Sequence, residues 1–196
     1  MAHPGIGVMR TESVSRSGDK IYVDTFRACP YSFSGYFWIY LDVGGAKTVL
    51  LGNSPAKIDE KGRLKVPTEF RTFIETTWGT GLFVTSDSDA GQSVQIYPMP
   101  VWLEIQKKLG AMPSSHPTRR KYAMWTNYYG KLAELDSQGR VLIHPLLRDA
   151  AAMEGEVVVL GDYNRLSLWN HERFKQQAPA QKLTDEDLRV LSDAGI

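Results

Sequence analysis

Two arginines, Arg63 and Arg140, carry the sharpest chemical signal in the chain. Each follows a glycine and stands four residues after an aspartate, in Asp59-Glu60-Lys61-Gly62-Arg63 and Asp136-Ser137-Gln138-Gly139-Arg140. A guanidinium is a planar fork of donors that takes O6 and N7 of one guanine together in the major groove of DNA. The same fork closes equally well on a carboxylate, and Asp59 and Asp136 are within reach. The residues alone leave two uses open: a base contact, or an ion pair that only closes a turn. Both hold together if the aspartate positions the arginine. Lys57, Lys61 and Lys65 flank Arg63 and suit phosphate contacts, which position a protein on DNA without reading its sequence. A lysine-rich, solvated strand face is the competing reading. At the matching places the second motif has Glu134, Gln138 and Leu142, so the first motif is expected to supply more of the electrostatic attraction.

These side chains need a scaffold that repeats. The stretch from Lys57 to Arg71 returns from Glu134 to Arg148 without a gap, at the offset from Asp59 to Asp136. A match of that length reads as one structural unit used twice. In each copy, strand residues (Ile58, Leu64, Val66; Leu135, Val141, Ile143) flank a tight turn. Gly62 and Gly139 stand where the turn needs a left-handed residue. Asp59 and Asp136 can accept from backbone N–H groups further round the turn, so we read these four as structural to it. Arg63 and Arg140 would leave the turn projecting outward, unheld by packing. Beyond Pro67 and Pro145 the apolar spacing becomes helical, with Phe70, Phe73 and Ile74, then Leu146, Leu147, Ala150 and Ala151. Arg71 and Arg148 fall on these helices and read as structural, bonding across the repeat.

The rest of the chain follows in order. Residues 1–48 form an N-terminal extension without sustained periodicity. Residues 1–20 read as disordered, and residues 21–41 hold enough aromatics for strands. Either an upstream start-site assignment or a genuine lineage-specific extension accounts for them. Repeat one occupies 52–101, with strands predicted over 81–85 and 93–97 and a loop at 87–91. A helical connection spans 102–129, with helices predicted over 101–109 and 118–129. Repeat two occupies 130–174, with strands over 156–160 and 165–169. Trp169 and Phe174 echo the spacing of Tyr97 and Trp102. The tail, 175–196, contains Thr184-Asp185-Glu186-Asp187, a capping pattern for a last helix.

Composition narrows the function. The chain has 196 residues, one cysteine (Cys29) and a formal net charge of +1, so a nucleic-acid site must be a local patch or be multiplied by oligomerisation. No apolar run approaches the roughly 18 residues of a membrane helix, and the polar start has no signal-peptide pattern. His116, His144 and His171 have no metal-ligand spacing with Cys29. No Gly-rich phosphate loop and no nucleophile–base order stands out. The reading is therefore not an enzyme, with no cofactor, metal or small-molecule ligand expected.

The run Leu51-Gly52-Asn53, then Asp59-Glu60-Lys61-Gly62-Arg63-Leu64 with Pro67, Phe70 and Arg71, resembles the opening of the MraZ family of bacterial transcriptional regulators. The second Asp-x-x-Gly-Arg unit at Asp136 matches that family's second copy, and the resemblance covers about the last three quarters of the chain. It implies a mainly β, α+β fold: a pseudo-symmetric double AbrB-like barrel of swapped hairpins, both in one chain. It also implies a homo-oligomeric ring in the cytoplasm, associated with the nucleoid. Such a ring would bind tandem promoter boxes in double-stranded DNA upstream of its own cell-division and cell-wall gene cluster. With that resemblance Arg63 and Arg140 are read as base contacts, and Lys57, Lys61, Lys65 and Gln138 as further DNA-binding residues. The alternative is a structural or protein-interaction ring without sequence-specific DNA binding.

Overall fold

The computed structural model describes residues 8–14, 20–26, 42–43, 46–47, 49–86, 91–177 and 183–196. Strand β1 (Val8–Val14) pairs antiparallel with β2 (Lys20–Phe26), and β3 (Asp42–Val43) with β4 (Ala46–Lys47). Val8–Val14 is thus a strand where the polar composition suggested disorder. Cys29, the aromatic run 31–40 and loop residues 87–90 lie outside the described residues.

Repeat one then runs β5 (Leu50–Lys57), β6 (Arg63–Lys65), α1 (Thr68–Trp78), β7 (Gly81–Thr85) and β8 (Val94–Pro98). Helices α2 (Met99–Ala111) and α3 (Pro117–Tyr128) lead to repeat two. That repeat has β9 (Lys131–Glu134), β10 (Arg140–Leu142), α4 (Pro145–Ala150), β11 (Glu156–Tyr163), β12 (Arg165–Asn170) and α5 (His171–Gln177). The last helix is α6 (Asp185–Asp193), whose N-terminus is closed by the capping box of Thr184 and Asp187 anticipated from the sequence.

The pairing is exchanged between the repeats. The main sheet has six antiparallel strands in the order β5-β11-β12-β8-β7-β9. The first strand of each repeat therefore lies against the third strand of the other: β5 on β11, and β9 on β7. The second strands, β6 and β10, pair with each other as a separate ribbon. Two-fold symmetry is visible in the register. Leu64 faces Val141 in the ribbon, and Gln95 faces Ser167 where β8 meets β12, so equivalent residues meet at both places. This is an α+β fold of swapped hairpins. The edge strands β5 and β9 do not pair with each other, so no continuous ladder closes a barrel. The ribbon spans that gap, joined to β5 through the Ile58–Leu64 bridge.

One core serves both repeats. Ile58, Leu64, Val66, Phe70 and Ile74 from repeat one pack with Leu135, Val141, Ile143, Leu147 and Val159 from repeat two. Alternation along β7 sends Leu82 and Val84 into this core and Phe83 to the opposite face. There Phe83 stacks on Trp102 of α2 at 4.2 Å between centroids, beside Tyr97. Among the described residues, the corresponding face of repeat two carries the short α5, with Trp169 edge-on to Phe174 at 6.0 Å and both half-buried. Between the two faces runs a buried polar seam, in which the Gln95 amide lies 3.1 Å from Ser93 Oγ and 3.0 Å from Ser167 Oγ.

Candidate nucleic-acid interface

The two motifs fold into nearly identical turns because the same residue types stand at the same places. Gly62 and Gly139 adopt φ of +76° and +71°, which a side chain tolerates poorly. Asp59 then satisfies the donors that the turn turns inward. Its Oδ1 accepts from the backbone N–H of Lys61 at 3.0 Å and of Arg63 at 2.8 Å. Its Oδ2 accepts from Arg63 Nε at 2.7 Å. Asp136 does the same for Gln138 N–H, Arg140 N–H and Arg140 Nε, at 2.9, 2.9 and 2.7 Å. The bond from the Arg63 backbone N–H, followed by that from the Arg63 side chain and its charge, holds the Asp59 carboxyl below the usual carboxylate range. Arg140 acts likewise on Asp136.

Each turn is also held by the other repeat. Val66 N–H donates to Gly139 O at 3.0 Å, and Ile143 N–H donates to Gly62 O at 2.9 Å. Arg71 of α1 lies against Gly139 and donates through Nη2 to Ser137 O at 3.4 Å. Its equivalent, Arg148 of α4, lies against Gly62. Both arginines are thus structural, and each braces the turn of the opposite repeat.

Arg63 and Arg140 differ from the freely projecting side chains anticipated above. Their side chains are 29% and 25% exposed, because the ion pairs with Asp59 and Asp136 fold them back along the turn. Only Nε is engaged. The two terminal nitrogens of each guanidinium have no partner among the described residues, so most of its donors remain available. The ribbon register brings the two together. Arg63 lies opposite Leu142, and Arg140 opposite Lys65. Leu64 and Val141 point into the core, so Arg63, Lys65, Arg140 and Leu142 share the outward face.

The remaining sequence candidates sit around this face. Lys61 and Gln138 are exposed at the turns, and Gly62 and Gly139 are buried beneath them. Lys57 is exposed at the end of β5, where its register partner is Glu156, and it lines a shallow depression with Asp59, Glu60 and Arg63. An acidic neighbour makes it the weakest of the three lysines as an anion contact. Arg119 of α3 donates to Met112 O at 2.6 Å and so ties off the helix connection. Tyr129 O lies 2.8 Å from His144 Nε2, a contact between the end of the helical connection and repeat two. Leu142, the counterpart of Lys65, completes this face. Its mismatch with Lys65 is visible in the aligned repeats, but its place opposite Arg63 follows only from the pairing of β6 with β10.

Fold and site together define an internally duplicated swapped-hairpin protein that offers a basic two-stranded ribbon on one side. Residues 49–124 and 131–191 match the family model described as "MraZ protein, putative antitoxin-like". The chain is similar to proteins called transcriptional regulator MraZ in several bacteria. It is 40% identical to that of Acidobacterium capsulatum over 145 residues, covering 74% of this chain and 98% of the relative. It is 43% identical to that of Koribacter versatilis over the same shares. With that of Escherichia coli O127:H6 the identity is 30% over 141 residues, 70% of this chain and 92% of the relative. The chain belongs to the MraZ family.

Proposed function

We propose that the chain is a sequence-specific DNA-binding transcriptional regulator that reads bases with Arg63 and Arg140. The observation that carries this reading is the placement of two tethered arginines on one outward ribbon face, each with its terminal donors free. A two-stranded ribbon is of a size to enter the major groove, about 12 Å wide. Arg63 and Arg140 are diagonal neighbours across the ribbon, so their backbones are about 7–8 Å apart. That is roughly two base-pair steps at ~3.4 Å each. The aspartates hold the forks in place before DNA arrives, which lowers the ordering cost of binding. Lys65, Lys61 and Gln138 border the same face and would take phosphates or base edges. Lys57 is a peripheral phosphate contact in this reading.

The regulator acts as a homo-oligomeric ring, in the cytoplasm and on the nucleoid, at tandem boxes upstream of its own cell-division and cell-wall gene cluster. Family membership supports the DNA role. The oligomer has separate support in exposed apolar side chains along α3 and α6: Met124, Trp125 and Tyr128, then Leu188 and Val190. Repetition of one modest patch around a ring raises the effective concentration of the next patch on tandem DNA. Among the described residues no helix is long and apolar enough to cross a membrane.

One observation favours a second reading, a structural ring without sequence-specific binding: both arginines already have a carboxylate partner. A titration of promoter and scrambled duplexes at several salt concentrations separates the two. The regulator reading requires tighter binding to promoter DNA that persists as salt weakens both. Equal affinity for the two duplexes would sink it.

A further inference from the structure

The ribbon is symmetric in its backbone and asymmetric in its chemistry. Across the two-fold relation, Arg63 matches Arg140, Leu64 matches Val141, and Lys65 matches Leu142. The inward pair is apolar in both repeats and the arginines are identical. Only the third pair changes character. Lys65 is exposed opposite Arg140, and Leu142 is 53% exposed opposite Arg63. The next outward position differs in the same sense: exposed Glu69 at the start of α1 matches Leu146, 42% exposed, at the start of α4. A solitary exposed leucine is unremarkable on a protein surface. Here two apolar side chains replace two charged ones, and one of them lies within the short face that carries both arginines. A solvated face gains nothing from that exchange. A face pressed into the major groove does, because the groove displays one apolar group, the 5-methyl of thymine.

We propose that Leu142 is a specificity-determining residue that takes a thymine methyl beside the guanine held by Arg63. This rests on the reading of the ribbon as a major-groove reader. Leu142 and Arg63 are cross-strand neighbours, about 5 Å apart at Cβ. Leu142 is the shorter side chain, but the thymine methyl stands out from the base edge into the groove, so Leu142 faces a base adjoining the one the fork holds. At the equivalent point of the other half, Lys65 presents a charge, which a phosphate or a guanine edge satisfies and a methyl does not. The two halves of a nearly two-fold reader thus ask for different bases, and the box they recognise is directional and not palindromic.

The test uses the full-length protein and a promoter duplex in which each thymine of a box is replaced, one at a time, by deoxyuridine, which lacks only the methyl. Burying one methyl group corresponds to about a fourfold change in affinity. The wild type should lose about that factor at one thymine position and little elsewhere. Leu142→Ala should bind the unmodified duplex several-fold more weakly and be indifferent to deoxyuridine at that position. Leu142→Lys, which copies the first repeat, should also lose the methyl response and steepen the salt dependence by about one. The fold of both variants is checked by melting. If no replacement alters wild-type affinity while promoter preference is intact, this inference fails and the regulator reading stands. If Leu142→Ala keeps the full response to deoxyuridine, the methyl is read by another residue and the assignment is wrong. If the wild type does not prefer promoter DNA at all, both readings fall together.

Discussion

Alanine at Gly139 tests the brace between the repeats. Gly139 has φ of +71°, and a Cβ there would overlap Arg71 Cδ and lie 2.8 Å from its Nε and 2.9 Å from its Nη1. Two costs follow. A left-handed alanine costs about 1–2 kcal/mol. The Arg71 stem must also move, and its hydrogen bond to Ser137 O goes with it, at about 1 kcal/mol. The total is ~2–3 kcal/mol, a fall in Tm of about 5–10 °C for a chain of this size. Gly62→Ala should cost less, because the overlap is with the mobile end of Arg148, whose Cδ and Cζ stay 3.3 Å away. The decisive measurement is a double-mutant cycle by urea denaturation. In an Arg71→Ala background Gly139→Ala should cost only the conformational part, leaving a coupling of about 1 kcal/mol. A coupling of zero would mean that Arg71 does not hold the turn, and the reciprocal-brace argument would fail for Arg148 as well.

Other outcomes follow from the same geometry. Arg63→Ala and Arg140→Ala should each cost ~1–3 kcal/mol of affinity for promoter DNA and flatten preference at one position; retention of the wild-type ratio of specific to non-specific affinity would refute direct readout. Lys61→Ala should weaken promoter and scrambled duplexes alike and reduce the salt slope by about one, read from affinities at several ionic strengths. Asp59 and Asp136 bind their protons less readily folded than unfolded, so their contribution to stability is full above the ordinary carboxylate value of 3.8 and is lost as pH falls through the lowered folded value; acid titration of Asp59→Asn/Asp136→Asn should show a flatter decline than the wild type. A chain beginning at Val49 should melt cooperatively and bind DNA as the full chain does, since β1–β4 belong to sheets separate from β5–β12; loss of the cooperative melt would assign the first 48 residues to the core.

The turns were legible because their chemistry is local. An aspartate, a glycine and an arginine within five residues specify their own hydrogen bonds, and the structure makes those bonds in both copies. Helices were legible from spacing after Pro67 and Pro145, and α6 from its capping residues. What was not legible depends on contacts distant in sequence. Alternation marks Val94 and Ile96 as strand residues but does not say that β8 meets β12, so the Gln95–Ser167 seam had no signal. Arg71 and Arg148 read as structural, yet their partners, Gly139 and Gly62, become evident only once the repeats interleave. The exposure of Arg63 and Arg140 was overestimated, because position at a turn exit says nothing of a carboxylate that folds the side chain back. The exchange of strands itself came from the family resemblance and not from periodicity.

That exchange has a consequence for how the molecule is made. Strand β5 finds its partner β11 only after roughly a hundred further residues have been added, a non-local pairing of the kind that slows folding. At about 5–20 residues per second, the nascent chain carries β5 without its partner for ~5–20 s. Repeat one cannot mature alone in that time. Its ribbon strand β6 waits for β10, and its core residues Ile58, Leu64 and Val66 wait for Val141 and Ile143. A stalled chain ending before β11 would expose an unpaired strand edge beside an open apolar surface. Lys57 blunts that hazard by setting a charge at the end of β5. Lys57 serves the finished protein too, in which β5 remains the outer strand of its sheet, a place where Pro55 is tolerated.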